Sequence, residues 1–404
     1  MSAVLVINSG SSSFKYQLID LDAEEPLASG LVERIGEGEG RTEHHGPDGV
    51  SEHVLEIPDH TAGFRAMLEA FAANGPSLEE HPPVAVGHRV VHGGARFFEP
   101  TIVTRLVEIN IEDLSELAPL HNPANLEGIR AAEKAFPDVP HVAVFDTAFH
   151  QTLAPDAYTY AIDATLAERY RVRRYGFHGT SHKYVSGEAA RFLGRPLGEL
   201  KQIVLHLGNG ASACAVDGGR SVDTSMGMTP LEGLVMGTRS GDIDPAVLLH
   251  LSRRAHLDTD GLDELLNRRS GLLGLSGHRD MRDVRAAAEE GDDAARVALG
   301  TYLHRLKHYI GAYLAVLGRL DVLVFTAGVG ENDAAVRAGA LAGLEGLGMV
   351  IDPARNAASS RETRVISADD SAVTVLVVPT DEELEIARQT VAAIDAADGP
   401  RPER

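Results

Sequence analysis

One cysteine, Cys214, is the whole thiol content of the 404-residue chain. An intrachain disulfide is therefore impossible, and a cysteine-based zinc site is excluded. That usage fits a reducing compartment, so a cytoplasmic location is expected. Long hydrophobic runs are also missing. The apolar stretch from Gly311 to Gly330 is broken by Arg319 and Asp321, and the run from Val4 to Ile7 is short and lacks a basic flank. No membrane span and no signal peptide are expected. Positive charge is scarce, with 37 Lys and Arg against 59 Asp and Glu, giving a formal net charge of −22. Nucleic acid and anionic membranes are also negative, so neither is an expected partner. A small anionic ligand remains open, because a few local cations can outweigh a distant field. Three motifs are absent as well. There is no G-x-x-x-x-G-K-[ST], no G-x-G-x-x-G opening a helix after a strand, and no H-E-x-x-H. His304 and His308 are four apart on a helical stretch, but with no third ligand in view they read as surface histidines.

Strand and helix patterns alternate along the chain, which implies an α/β protein, and the length suits two domains. Val4 to Ile7 reads as a buried strand, Ser9 to Ser13 as a turn of small residues, and Phe14 to Asp20 as the return strand. Gln202 to Leu207, Gly208 to Ser212 and Ala213 to Asp217 repeat that plan. A duplication with one Gly/Ser hairpin opening each half follows as an expectation. Glu37 to Gly49 reads as a surface loop or hairpin tip. Asn122 is expected to cap a helix running to Phe136, with Pro123 in its first turn. Further helices are expected at 61–73, 245–255, 296–317 and 382–393, and strands at 84–91, 141–145, 321–325 and 373–378. The segment Asp395 to Arg404 is expected to fray.

The chemistry-bearing stretches are few. In Asn8-Ser9-Gly10-Ser11-Ser12-Ser13-Phe14-Lys15, small residues let backbone N–H groups and hydroxyls approach an anion, with Lys15 adding charge. A Ser-rich turn without a ligand reads equally well. Its counterpart, His206-Leu207-Gly208-Asn209-Gly210-Ala211-Ser212, favours the first reading, because two such turns can grip one polyphosphate. Arg89 ends an apolar strand in Gly87-His88-Arg89-Val90-Val91-His92-Gly93-Gly94. It suits either bidentate binding of a carboxylate or phosphate, or a structural ion pair. Arg239 lies in a long stretch of glycines and hydroxyls from Thr224 to Pro245, as in a loop that wraps a ligand. His178 sits in Tyr175-Gly176-Phe177-His178-Gly179, either as a donor beside a phosphoryl group or as a packing histidine. Asp146, after a strand, is a candidate catalytic or metal-linked carboxylate. Glu382 follows Pro379-Thr380-Asp381, where an acid also simply suits a helix N-terminus. Phe325-Thr326-Ala327-Gly328-Val329-Gly330 could lay backbone against an adenine or ribose.

NSGSSSFKY, GHRVVHGG, APLHNPANLEGI, FDTAFH, YGFHGTSH, HLGNGAS, TSMGMTPLEGLVMGTRSGDIDP, SGLLGLSG, FTAGVGEN and PTDEE follow one another from Asn8 to Glu383. Together they resemble the acetate kinase family over essentially the whole chain. Ser9, Phe14 and Val329 depart from the family pattern without removing a chemically active group. The resemblance implies the ASKHA fold: two duplicated lobes that would close on ATP. It places an N-terminal lobe at 1–150 with 383–404, and a C-terminal lobe at 151–382. It implies Mg²⁺-dependent, reversible transfer of the ATP γ-phosphoryl group to acetate, giving acetyl phosphate and ADP, with Mn²⁺ able to substitute. It also implies a homodimer. Carried over by motif, Asp146, Arg89, Arg239, His178 and His121 match active-site positions. Val91, Leu120, Phe177 and Pro230 match the pocket around the acetate methyl. Ser11, Ser12, Ser13, Lys15, His206, Gly208, Asn209 and Gly210 match the phosphate loops. Asp280, Met281, Arg282, Gly328, Gly330 and Asn332 match the adenosine region, and Asn8 and Glu382 the metal region.

A carboxylate acceptor is ionised at neutral pH, because carboxylic acids titrate near pH ~4. It needs no general base, only positioning and charge neutralisation. Three rivals remain open from sequence. A propionate or butyrate kinase differs by methylenes worth only ~1–3 kcal/mol each in a pocket. A non-catalytic ATP switch would have no need of Arg89, His178 and Arg239 together. A phosphohydrolase would use Asp146 to activate water.

Overall fold

Ala3–Ser9 (β1) is apolar on both faces, and six of its seven residues are buried, so it can only be an interior strand. In the computed structural model, which describes residues 3–399, it pairs antiparallel with Ser13–Asp20 (β2), Asn8 opposite Lys15. Glu25–Glu33 (β3), Gly40–Gly46 (β4) and Gly49–Leu55 (β5) continue the antiparallel meander. On the other side of β1, Pro83–Val90 (β6) runs parallel to it. Thr101–Ile102 (β7) and His141–Phe145 (β8) complete an eight-stranded sheet of order β5-β4-β3-β2-β1-β6-β8-β7. The chain forms two compact units, and this sheet belongs to the first, residues 1–148 with 381–404. Its core includes Leu5, Ile7, Tyr16, Phe71 and a stacked Phe14–Phe64 pair 4.6 Å apart. Burial of each such side chain contributes about 1.5–3 kcal/mol.

The second unit, residues 149–380, is built on Lys201–Leu207 (β9), Ala211–Asp217 (β10), Arg220–Thr224 (β11), Val322–Thr326 (β12), Arg364–Val365 (β13) and Thr374–Val377 (β14). Their order is β11-β10-β9-β12-β14-β13. β9, β10 and β11 form an antiparallel meander, and β12 and β14 continue parallel to β9. This is the arrangement of β1, β2, β3, β6 and β8, so the two sheets repeat one plan, as the paired Gly/Ser turns led us to expect. The core holds Val185, Val204, Cys214, Val324 and Leu376.

Four sequence expectations need correction. The units divide at 148/149 and 380/381, not at 150/151 and 382/383, so Glu382 belongs to the first unit. The reason is local. Asp381 caps the closing helix, Glu382–Asp398, by accepting from Leu384 N at 2.8 Å, and that helix packs on β1, β6 and β8. Gly87 on β6 makes the approach possible, since a Cβ there would lie 2.4 Å from Thr390 Oγ1. Second, Gly40 to Gly46 is a strand and not a loop, and its polar sequence hides buried Thr42 and His44. The Tyr16 hydroxyl meets His44 Nδ1 at 2.8 Å, which gives that histidine a partner inside the core. Third, His121, not Asn122, holds the N-cap position of Asn122–Ala135; Asn122 is fully buried and bonds elsewhere. Fourth, the closing helix continues past Asp395 to Asp398, and residues 400–404 of the segment expected to fray lie outside the described residues.

Candidate active site

In the first unit the chemistry gathers at the carboxyl ends of β6 and β8. β6 delivers Arg89, and the turn after β8 delivers Asp146, which is almost fully buried. The two face each other bidentately. Arg89 Nε lies 3.1 Å from both Asp146 oxygens, and Nη2 donates to Oδ2 at 2.6 Å. Nη1 reaches toward Asn8 Oδ1 at 3.5 Å. Burial opposes the Arg89 charge, but Asp146 and Glu382 more than offset it and strengthen the guanidinium's hold on its proton. Glu382 opens the closing helix beside this pair. Its carboxyl is raised to about 7; burial is the largest cause, Arg89 opposes it, and Asp146, Glu383 and Asp381 add to it. Three acidic side chains around one arginine thus leave Glu382 short of positive charge.

Asparagines on Asn122–Ala135 fix the backbone around this cluster. Asn125 accepts from Val91 N at 3.0 Å and donates to Ser9 O at 2.7 Å, tying β6 to the first turn. Asn122 accepts from His92 N at 3.1 Å and donates to His92 O at 3.0 Å. Asn125 was not singled out from sequence, and Asn122 only as a helix cap. Their signal was two asparagines on the apolar face of a helix, where a buried amide needs partners. In the Ser turn, Gly10 N donates to Ser13 O at 2.7 Å and Ile35 N to Ser12 O at 2.9 Å, while His60 Nε2 lies 2.9 Å from Gly10 O. Lys15 is exposed and lines a groove with Glu383, whereas Ser11 lines a separate groove with His60, Arg130 and Lys134. Val91 is partly buried, and Leu120 (63% exposed) and His121 face solvent.

In the second unit, β9 and β10 hold a Gly turn in which Gly208 N donates to Gly210 O at 3.0 Å. A Cβ at Gly210 would lie 2.8 Å from Arg239 Nη2, so the bare backbone is what admits that guanidinium, while His178 Cε1, 3.7 Å away, would only be touched. Arg239 donates to Pro230 O at 2.7 Å. No ion pair to an acid is seen for it among the described residues, and burial weakens its hold on its proton. A desolvated guanidinium bonded to a carbonyl is a cation prepared for an anion. His178 stands at the start of Gly179–Leu193 with φ +55°, a left-handed conformation that a non-glycine residue takes at a cost of roughly 1 kcal/mol. Its ring stacks on His206 with centroids 4.1 Å apart, and its Nδ1 lies 2.9 Å from Ser212 Oγ. His206 Nδ1 lies 2.8 Å from Ser181 Oγ.

Gly208, Asn209, Asp280, Met281 and Val329 line a cavity of about 90 Å³ together with Gly237 and Tyr302. A Cβ at Gly237 would fall 2.0 Å from Asn209 Oδ1, so this glycine leaves Asn209 its place. Arg282 does not join them; it is paired with Asp280 at 2.6 Å and its side chain is 86% exposed. Asn332 is exposed and donates to Gly328 O at 2.9 Å. Gly330 packs near Leu205 O, and nothing crowds Gly328. Phe177 is buried, and its carbonyl meets His150 Nε2 at 3.0 Å.

A duplicated α/β fold with anion-admitting Gly turns, two placed arginines and a buried carboxylate cluster defines a phosphotransferase class of protein. The comparisons agree and narrow it. The acetokinase family model matches residues 3–388, and the chain belongs to that family. It is 76% identical to an acetate kinase of Leifsonia xyli subsp. xyli over 396 residues, covering 98% of this chain and all of that protein. It is 57% identical to one of Streptomyces coelicolor, covering 98% of each. Among solved structures, the acetate kinase of Porphyromonas gingivalis superposes with a TM-score of 0.94 at 43% identity, over 98% of this chain and 100% of that one. A propionate kinase of Francisella tularensis follows at 0.90 and 42%, over 97% of this chain and 100% of that one. Among the described residues no helix is long and apolar enough to cross a membrane.

Proposed function

We propose that the chain catalyses reversible transfer of the ATP γ-phosphoryl group to acetate, giving acetyl phosphate and ADP. The observation that carries this reading is Arg239: a half-buried, partly desolvated cation without an acidic partner among the described residues, set beside His178 over the bare backbone of Gly210. An acetate oxygen attacks the γ-phosphorus as the bond to the β–γ bridging oxygen breaks, and ADP leaves with that electron pair. No proton moves, because the acceptor is already ionised. Arg239 neutralises charge on the equatorial oxygens, and His178 donates a hydrogen bond to them. Asn209, Gly208 and Gly210 hold the phosphates, and the cavity at Asp280 and Met281 takes the adenosine. Arg89, held rigid by Asp146, presents Nη1 for the acetate carboxylate or a phosphoryl oxygen. Asp146 thus serves as the partner of a cation and need not act as a base. Val91, Leu120, His121, Phe177 and Pro230 are assigned to the acceptor end, and Ser11, Ser12, Ser13, Lys15 and His206 to the phosphates.

The donor chemistry in the first unit fits a hard divalent cation. Asn8, Asp146 and Glu382 offer only oxygen, and while burial is the main cause of the raised Glu382 carboxyl, its acidic neighbours Asp146, Glu383 and Asp381 add to the rise, which a cation would reverse. Among the described residues no cluster of three or more His, Cys, Asp or Glu forms a full cage. Such a donor set suits Mg²⁺, which keeps waters and phosphate oxygens as ligands, and Mn²⁺ by the same chemistry. When bound, the ion would neutralise charge on the leaving phosphates. Asn8 and Glu382 would hold it through its waters. Family membership also supports a homodimer, and the lone cysteine a cytoplasmic setting.

ADP formation measured with acetate, propionate and butyrate in parallel tests the substrate. The highest kcat/KM is expected with acetate. A higher value with propionate would keep the mechanism and move the chain to the specificity that the Francisella protein's name describes.

A further inference from the structure

The role given to His178 requires a proton on Nε2, because the phosphoryl oxygens accept and do not donate. Its other ring nitrogen meets a hydroxyl that is shared. Ser212 Oγ lies 2.9 Å from His178 Nδ1 and 2.8 Å from His182 Nε2. Ser212 and His182 are both fully buried. A hydroxyl has one proton and two acceptor pairs, and accepting from both rings would leave its own buried proton without an acceptor among the described residues, so Ser212 donates to one of these nitrogens and accepts from the other.

The far side of His182 decides between the two arrangements. Its Nδ1 is buried, and no protein atom among the described residues bonds it. If Ser212 donated to His182, that ring would carry its proton on Nδ1, leaving a buried N–H without an acceptor. If Ser212 donates to His178, His182 carries its proton on Nε2 and leaves only an unshared acceptor pair. Orphaned buried donors are rarer in proteins than under-satisfied acceptors, and cost more. Burial also keeps His182 neutral, with His150 and His206 nearby discouraging a second charge. Ser212 stands directly opposite His206 across the β9–β10 pair, so the relay is anchored to the sheet as well as to the helix.

We propose that His182 is a positioning residue: through Ser212 it fixes His178 in the Nε2–H form and makes that ring a hydrogen-bond donor to the transferring phosphoryl group. The proposal rests on the kinase reading of His178, but its first test does not use activity. Two-bond ¹⁵N–¹H correlation spectra of histidine-labelled enzyme above pH 7.5 report which ring nitrogen of His178 is protonated. The signal is assigned by its loss in His178→Gln. Nε2–H is expected in the unaltered enzyme, and Nδ1–H there would overturn the proposal whether or not any His182 variant folds. An enzyme that shows Nε2–H yet forms no acetyl phosphate would sink the kinase reading and leave the relay standing. His182→Ala should return His178 to a mixture of tautomers and lower kcat by about 10–10²-fold, with KM for ATP and acetate nearly unchanged. His182→Gln, whose amide can still donate to Ser212, should recover most of the rate and the tautomer. Equal loss in both variants with the His178 tautomer unchanged would show a merely structural histidine.

Discussion

Arg89 and Arg239 carry the same charge in opposite surroundings, and that difference is measurable. Arg89 neutralises a buried carboxylate. Arg89→Met should therefore cost about 3 kcal/mol of stability by leaving Asp146 unpaired, as well as abolishing most activity. Arg239 has no such partner among the described residues. Arg239→Met should lower kcat by about 10²–10³-fold while the melting temperature stays level or rises. A parallel fall in melting temperature for both variants would mean that Arg239 is a structural cation. Glu382 makes a second prediction. Its folded-state value near 7 lies above the unfolded value of 4.5, so the folded protein holds the extra proton between those limits. Stability of the nucleotide-free protein should therefore fall as pH rises from about 4.5 to 7, and the fall should be shallower in Glu382→Gln. Cation binding needs the ionised form, so Mg²⁺ affinity should rise with pH through about 7 and release a proton. Calorimetric titration in two buffers of different ionisation enthalpy checks this.

Elements differ in how openly the sequence declares them. β1, β8 and β12 are buried on both faces and read as apolar runs; the turns after β1 and β9 read as clusters of small residues. Arg89 and Asp146 could be placed from sequence because each ends or follows an apolar strand, whereas His178 and Arg239 stood out only by the glycines and hydroxyls around them. β4 was not legible, since its buried residues include Thr42 and His44, and the partners of His44 come from β2 and a distant turn. The Ser212 relay was invisible for a similar reason: it depends on the register that sets His206 opposite Ser212 and on a helix 30 residues away from Ser212. Asn122 reads as a cap because its type and position suit one, yet the demand of the His92 backbone claims its side chain. One element-scale prediction follows from β6. Gly87→Ala drives a Cβ into Thr390 and Ile386 of the closing helix, and should cost about 1–3 kcal/mol. Thr390→Ala in the same chain should recover part of that loss, because it removes the nearest atom. Additive losses in a denaturant titration would argue against this contact.

At the scale of the whole molecule, one strand plan is used twice, and each copy carries a different share of the chemistry. The first unit pairs an arginine with carboxylates, which suits a cation and an acceptor acid. The second offers Gly turns, a desolvated arginine and an oriented histidine, which suits a phosphoryl group. The division of the chain places Glu382 with the first set and not the second, because the closing helix returns to the first sheet. The most direct test of this account is trapping of acyl phosphate with hydroxylamine from Mg·ATP and acetate, with ADP and free phosphate counted in the same reaction. Hydroxamate in proportion to ADP, dependent on acetate and with little free phosphate, is the predicted result. ADP and free phosphate in equal amounts with no hydroxamate from any short acid would contradict it and leave a nucleotide hydrolase on this fold.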